Sequence, residues 1–82
     1  KMKIIRTTNS IISLENVRRV EFYESTSQHT RAGQKYTIDH YSISIIYTDN
    51  KSEHIDCGEN KDGKDKADRL MDKIFEILAK EA

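Results

Sequence analysis

The sequence predicts an α+β fold: an antiparallel β-meander of four to five strands, with one C-terminal amphipathic helix packed on one face. Three observations carry that prediction. Tyr41, Ile43, Ile45 and Tyr47 alternate with Ser42, Ser44 and Ile46, the period of a half-buried strand. Ala67, Leu70, Met71, Ile74, Phe75, Ile77 and Leu78 recur at three- and four-residue spacing, which forms one broad apolar stripe on a helix. Short apolar runs before the helix are separated by clusters of Thr, Asn, Ser, Asp and Gly, whose small polar side chains or free φ suit turns.

Each element follows in chain order. Met2 to Arg6, with Ile4 and Ile5, reads as a first strand, and Thr7-Thr8-Asn9-Ser10 as the turn after it. Ile11 to Leu14 is a second short strand, interrupted at Glu15-Asn16. Val17 to Glu24 resumes in extended form, with Val20 and Phe22 on one face and Arg19, Glu21 and Tyr23 on the other. Ser25 to Lys35 is polar, with Ala32-Gly33 at its middle, and reads as a long hairpin loop. A partner-binding arm is the functional alternative, because loops held by a rigid scaffold often carry function.

Tyr36 to Thr48 is the clearest strand, Asp49-Asn50-Lys51 a turn, and Ser52 to Cys57 the returning strand. Parity decides their register. Ile55 and Cys57 join the face of Ile43, Ile45 and Tyr47 only across an odd-numbered loop, most simply three residues with Asn50 or Lys51 in the left-handed region. A two-residue turn would set Ile55 across from Ile46 on the serine face. Gly58 to Lys64 then reads as a charged connection and about Lys64 to Lys80 as the helix. Asp62 and Asp65 near its start and Lys80 near its end suit the helix dipole. Asp65–Arg69 and Glu76–Lys80 are i,i+4 pairs of favourable sign.

The expected core gathers Ile4 or Ile5, Leu14, Val20, Phe22, Ile43, Ile45, Ile55, Leu70, Met71, Ile74, Phe75 and Leu78. On that reading, Phe75→Ala costs about 3–5 kcal/mol. The 82 residues suffice for a single domain spanning 1–82, with its strands within 2–57. Lys1, ahead of Met2, is given no structural weight.

Composition bounds the function. Lys plus Arg equals Asp plus Glu, 14 against 14, which argues against a nonspecific nucleic-acid binder and equally against an acidic nucleic-acid mimic. A net charge near zero does little to keep copies apart, so self-association is expected to be easy. Cys57 stands alone, so no intrachain disulfide forms, and with no secretory signal the expected compartment is the cytoplasm. No apolar run approaches the ~20 residues needed to span a bilayer.

Candidate chemistry is sparse. An EF-hand loop with Gly63 at its sixth position would start at Gly58 and end at Arg69, and neither supplies the required carboxylate. His29, His40, His54 and Cys57 are the soft ligand candidates, but His54 and Cys57 lie three apart and so point to opposite faces of a strand. No nucleophile–base pairing and no glycine-rich phosphate cradle stands out. The expectation is a protein without catalytic residues, metal or cofactor.

Two binding surfaces remain. Tyr36, Ile38 and Ile46 fall on the even-numbered face of the long strand, opposite the presumed core, and need either a bulge near Asp39-His40 or a covering partner, a second copy included. Arg18, Arg19, Arg31 and Lys35, with His29, Tyr36 and Tyr41, are the best basic and aromatic set for a nucleic-acid or acidic ligand. Glu21, Glu24 and Asp39 interleave with them and cancel much of the field.

The run Ile11-Ile12-Ser13-Leu14-Glu15-Asn16-Val17, continuing to Val20-Glu21-Phe22, resembles a phrase of small bacterial sheet-plus-helix proteins, some pleckstrin-homology-like and some carried on mobile elements. The resemblance implies a strand, a tight corner, a second strand and a closing helix. It implies no catalytic residue, because Asn16 and Val17 serve a corner and a core. The function expected is a small non-catalytic protein-interaction module, with nucleic-acid binding as the alternative.

Overall fold

Residues 3–7 and 10–80 are described by a computed structural model of the chain. Five antiparallel strands form two sheets among these residues, and one helix closes on them. Strands β1 (Ile4–Arg6) and β2 (Ile11–Ser13) make a small hairpin; β3 (Val17–Arg31), β4 (Gln34–Tyr47) and β5 (Ser52–Glu59) make a sheet in the order β3-β4-β5; α1 spans Asn60–Lys80. The fold is therefore α+β, with the meander divided between two sheets.

Sheet register follows the hydrophobic alternation. Ile45 faces Val20 and Ile43 faces Phe22 across β3–β4, while Ile43 faces Ile55 across β4–β5. The odd-numbered β4–β5 loop is present, one residue earlier than expected: Thr48-Asp49-Asn50. The Tyr47 N–H donates to the Lys51 carbonyl at 2.9 Å, and Asn50, at φ 69°, takes the left-handed position. A type I turn followed by a left-handed residue is a standard three-residue hairpin closure. At the other end of this pairing the register shifts between Tyr41 and Ser42, so that Cys57 is the extra residue on β5.

The hairpin β1–β2 lies outside the main sheet yet delivers Ile5 and Ile12 to the core, and Leu14, just after β2, joins them. Asn16, at φ 59°, turns the corner, its carbonyl accepting the Thr48 N–H at 2.9 Å, and the Tyr47 hydroxyl donates to the Ser13 carbonyl at 2.7 Å. Core partners from the sheet and helix are Tyr41, Ile43, Ile45, Ile55, Cys57, Ala67 and Ile74. Met2, Thr8 and Asn9, placed by the sequence in the first strand and turn, lie outside the described residues.

Four expectations are corrected. The polar segment Ser25–Lys35 is not a loop: β3 and β4 run on to a two-residue turn, Ala32-Gly33, with φ of 52° and 78°. Two successive positive φ values are the type I′ geometry that matches strand twist. Second, the connection Gly58–Lys64 does not exist as a loop. The strand runs to Glu59 and the helix starts at Asn60, because Gly63 lies bare against Gly58 and brings the first helical turn onto the strand end. Third, Phe75 leaves the core: it is 73 % exposed, and Ile74 is the buried residue of that turn. Fourth, no face switch occurs at Asp39–His40, since the β3–β4 ladder is unbroken from Arg19 to Arg31.

The helix covers β4 and β5 and leaves β3 at the margin, which is why Phe22 stays 37 % exposed, edge-on to Tyr41 at 6.0 Å between ring centroids. Ile4 is likewise the exposed member of its pair, with Ile5 buried.

Candidate functional site

Beyond the point where Glu59 pairs with His40, β5 ends and β3–β4 continue as a two-stranded ribbon. Every residue from Gln28 to Thr37 is exposed. A free two-stranded ribbon is marginal in water, so side-chain pairs must hold it. Thr26 Oγ1 donates to Asp39 at 2.9 Å on the helix-side face. On the opposite face the His29 ring stacks on Tyr36 at 5.4 Å between centroids.

The same opposite face carries the densest polar cluster of the ribbon. Ser27 Oγ lies 2.8 Å from His29 Nε2 and 2.8 Å from His40 Nε2, and His40 Nδ1 lies 3.8 Å from Glu59. One hydroxyl proton serves at most one of the two imidazoles, so the other ring donates to the serine oxygen. Ser27, His40 and Glu59 occur in the order of a hydrolytic triad. However, 3.8 Å leaves the imidazole without a hydrogen bond to the carboxylate. The three side chains stand on an open strand face, and none of them lines the groove beside β5 and α1 or the one beside the β4–β5 turn. That geometry lacks an enclosed place for a tetrahedral intermediate.

The predicted contact residues separate. Tyr36 and Ile38 flank the Ser27–His29–His40 cluster, Ile38 directly across from Ser27. Ile46 shares their face but pairs with Arg19 at the opposite end, eight residues or about 26 Å from Ile38. The basic set also disperses. Arg18 is the bulged residue at the start of β3, and Arg19 is tied to Glu21 at 3.3 Å. Arg31 and Lys35 sit at the ribbon tip on opposite faces, about 40 Å from Arg19 along the strand. Tyr41 is buried under the helix.

Sequence reasoning missed the meeting of Ser27, His29 and His40. The signal was available once the Ala32-Gly33 turn was taken as two residues, since parity then places all three on one face.

Four titrating groups are perturbed; Tyr23 is raised first by the hydrogen bond its hydroxyl donates to Glu21. Burial pushes the Cys57 thiol above its ordinary range, and Tyr41 and Tyr47 are raised first by burial and then by nearby carboxylates, Glu24 for Tyr41 and Glu53 for Tyr47. A raised thiol pKa suits a packing residue and opposes thiolate chemistry. Among the described residues no group of three His, Cys, Asp or Glu side chains is placed to hold a metal, and no helix is long and apolar enough to cross a membrane.

No family model matches this sequence, and neither does any curated protein or solved structure.

Proposed function

We propose that the protein is a small non-catalytic interaction module whose β3–β4 ribbon engages a protein partner or a second copy of the chain. One observation carries this reading. The molecule extends 54 Å along one axis against 23 and 21 Å along the others, and the exposed stretch Gln28–Thr37 contributes nothing to the core. Stability of the body does not require that stretch, and both of its edges offer unpaired backbone groups of the kind a partner strand takes up. Tyr36 and Ile38, beside the serine–histidine cluster, give the ribbon an amphipathic contact face.

The test is excision. Thr26 pairs with Asp39, so replacing Ser27–Ile38 by Asn-Gly closes a shorter hairpin on an existing pair. The shortened chain is expected to keep its circular dichroism spectrum and to lose both partner capture from the native host and any self-association seen by sedimentation. Retention of the same partners and the same mass would overturn the reading. A strict monomer for the intact chain at high micromolar concentration would remove the self-association version. An oligonucleotide shift that weakens with salt would favour the nucleic-acid alternative.

A further inference from the structure

We infer that the groove between β5, the β1–β2 hairpin and α1 is a second binding site, which takes an extended acidic peptide as an added strand on β5. The groove encloses about 600 Å³. Two elements supply its cations: Arg6 from β1, and Lys66, Arg69 and Lys73 from one stripe of α1. Ile12, Ile55 and Leu70 give it apolar surface, and Thr7 and Ser10 add hydroxyls at the hairpin end. Glu53 and Asp56 also line it, beside His54, so four permanent cations face two carboxylates. Among the described residues none of the four cations is committed to an ion pair; the bridges present are Arg19–Glu21, His40–Glu59 and Lys80–Glu76.

The backbone of β5 selects the form of the ligand. Tyr47 and Lys51 are a hydrogen-bonded pair, and in an antiparallel ladder such pairs alternate with non-bonded ones. Glu53 and Ile55, which face Ile45 and Ile43, share that parity and spend their N–H and C=O groups on β4. Ser52, His54 and Asp56 therefore turn theirs to the outer edge. Among the described residues β5 is the edge of its sheet, and β1 and β2 form a separate one. His54 and Asp56, whose backbone donors and acceptors the ladder parity turns outward, are among the residues that line the groove. A peptide strand docked there satisfies them, and its alternate side chains stand beside Lys66, Arg69 and Lys73, where carboxylates gain most. The site is separate from the ribbon, and neither proposal requires the other.

The experiment titrates the isotope-labelled full chain with an acetylated peptide of alternating Asp and Val, with its Lys-for-Asp counterpart, and with inorganic phosphate. The Asp-Val peptide is expected to shift the His54 and Asp56 amide resonances saturably and to slow their hydrogen exchange. The Lys counterpart and phosphate are expected to leave that exchange unchanged. In the double variant Lys66→Glu, Arg69→Glu, both exposed positions, affinity is expected to fall at least tenfold while the Ile43 and Ile45 resonances stay in place. Absence of shifts at millimolar peptide would overturn the inference. So would equal affinity in the charge-reversed variant, or phosphate alone reproducing the peptide's effect, which would make the groove a small-anion site. The ribbon-excised chain should bind the peptide as the intact one does.

Discussion

Gly63 and Gly58 touch backbone to backbone: a Cβ built on Gly63 would lie 2.5 Å from the Gly58 carbonyl oxygen. Gly58 itself has a φ of 109°, open to glycine and strained for other residues. This contact joins the end of β5 to the first turn of α1 without a loop. Asn60 reinforces the junction by accepting the Asp39 N–H at 3.1 Å.

Gly63→Ala is therefore expected to destabilise the protein by about 1–3 kcal/mol through overpacking. Helix propensity alone would predict a gain of about 1 kcal/mol for the same change, so the two accounts differ in sign. Urea denaturation of the variant decides between them.

Ile74 and Phe75 are neighbours with opposite roles, 2 % and 73 % exposed. Ile74→Ala should cost about 2–5 kcal/mol, and Phe75→Ser should stay within about 0.5 kcal/mol of the parent. Thermal melts of the pair check the rotation of the helix on the sheet; comparable losses in both would mean that α1 is turned differently.

Stability is expected to fall at alkaline pH. Cys57, Tyr41 and Tyr47 all hold their protons more tightly folded than unfolded, each first because of burial. A raised folded pKa contributes stability that is complete below the unfolded value, about 8.5 for cysteine and 10 for tyrosine, and is lost as pH rises through the folded value. Denaturation midpoints should hold between pH 7 and 8 and decline above. Cys57→Ala should delay the decline toward the tyrosine range; an unaltered pH profile in that variant would exclude the thiol.

Hydrogen exchange should divide β4 in two. The amides of Ile43 and Ile45 lie in the buried core and should open only with global unfolding, while those beyond His40, in the ribbon, should exchange through cheaper local opening. Uniform protection along the strand would contradict the picture of a ribbon without a core.

Much of the fold was legible in the residues. Alternation along Tyr41–Tyr47, apolar spacing along Ala67–Leu78 and the parity of the β4–β5 turn each report one buried face, and burial writes a period into a sequence. The ribbon was not legible by the same means. Both of its faces are wet, so Ser25–Lys35 shows no alternation, and only the Ala32-Gly33 turn marks it. The candidate surfaces were legible as lists and not as places: Tyr36 and Ile38 stayed together, whereas Ile46 and the four basic residues did not.

What the sequence by itself determined is the class of the molecule, an antiparallel sheet with a closing helix, because that depends on which side chains avoid water. Tertiary structure alone decided three things: the exposure of Phe75, the glycine contact that replaces the last loop, and the grouping of Arg6 with Lys66, Arg69 and Lys73. The reason is physical. An apolar stripe of seven residues is wider than the strip of sheet it covers, so packing chooses which members stay dry. Residues from β1 and α1 become neighbours only once the chain between them has folded.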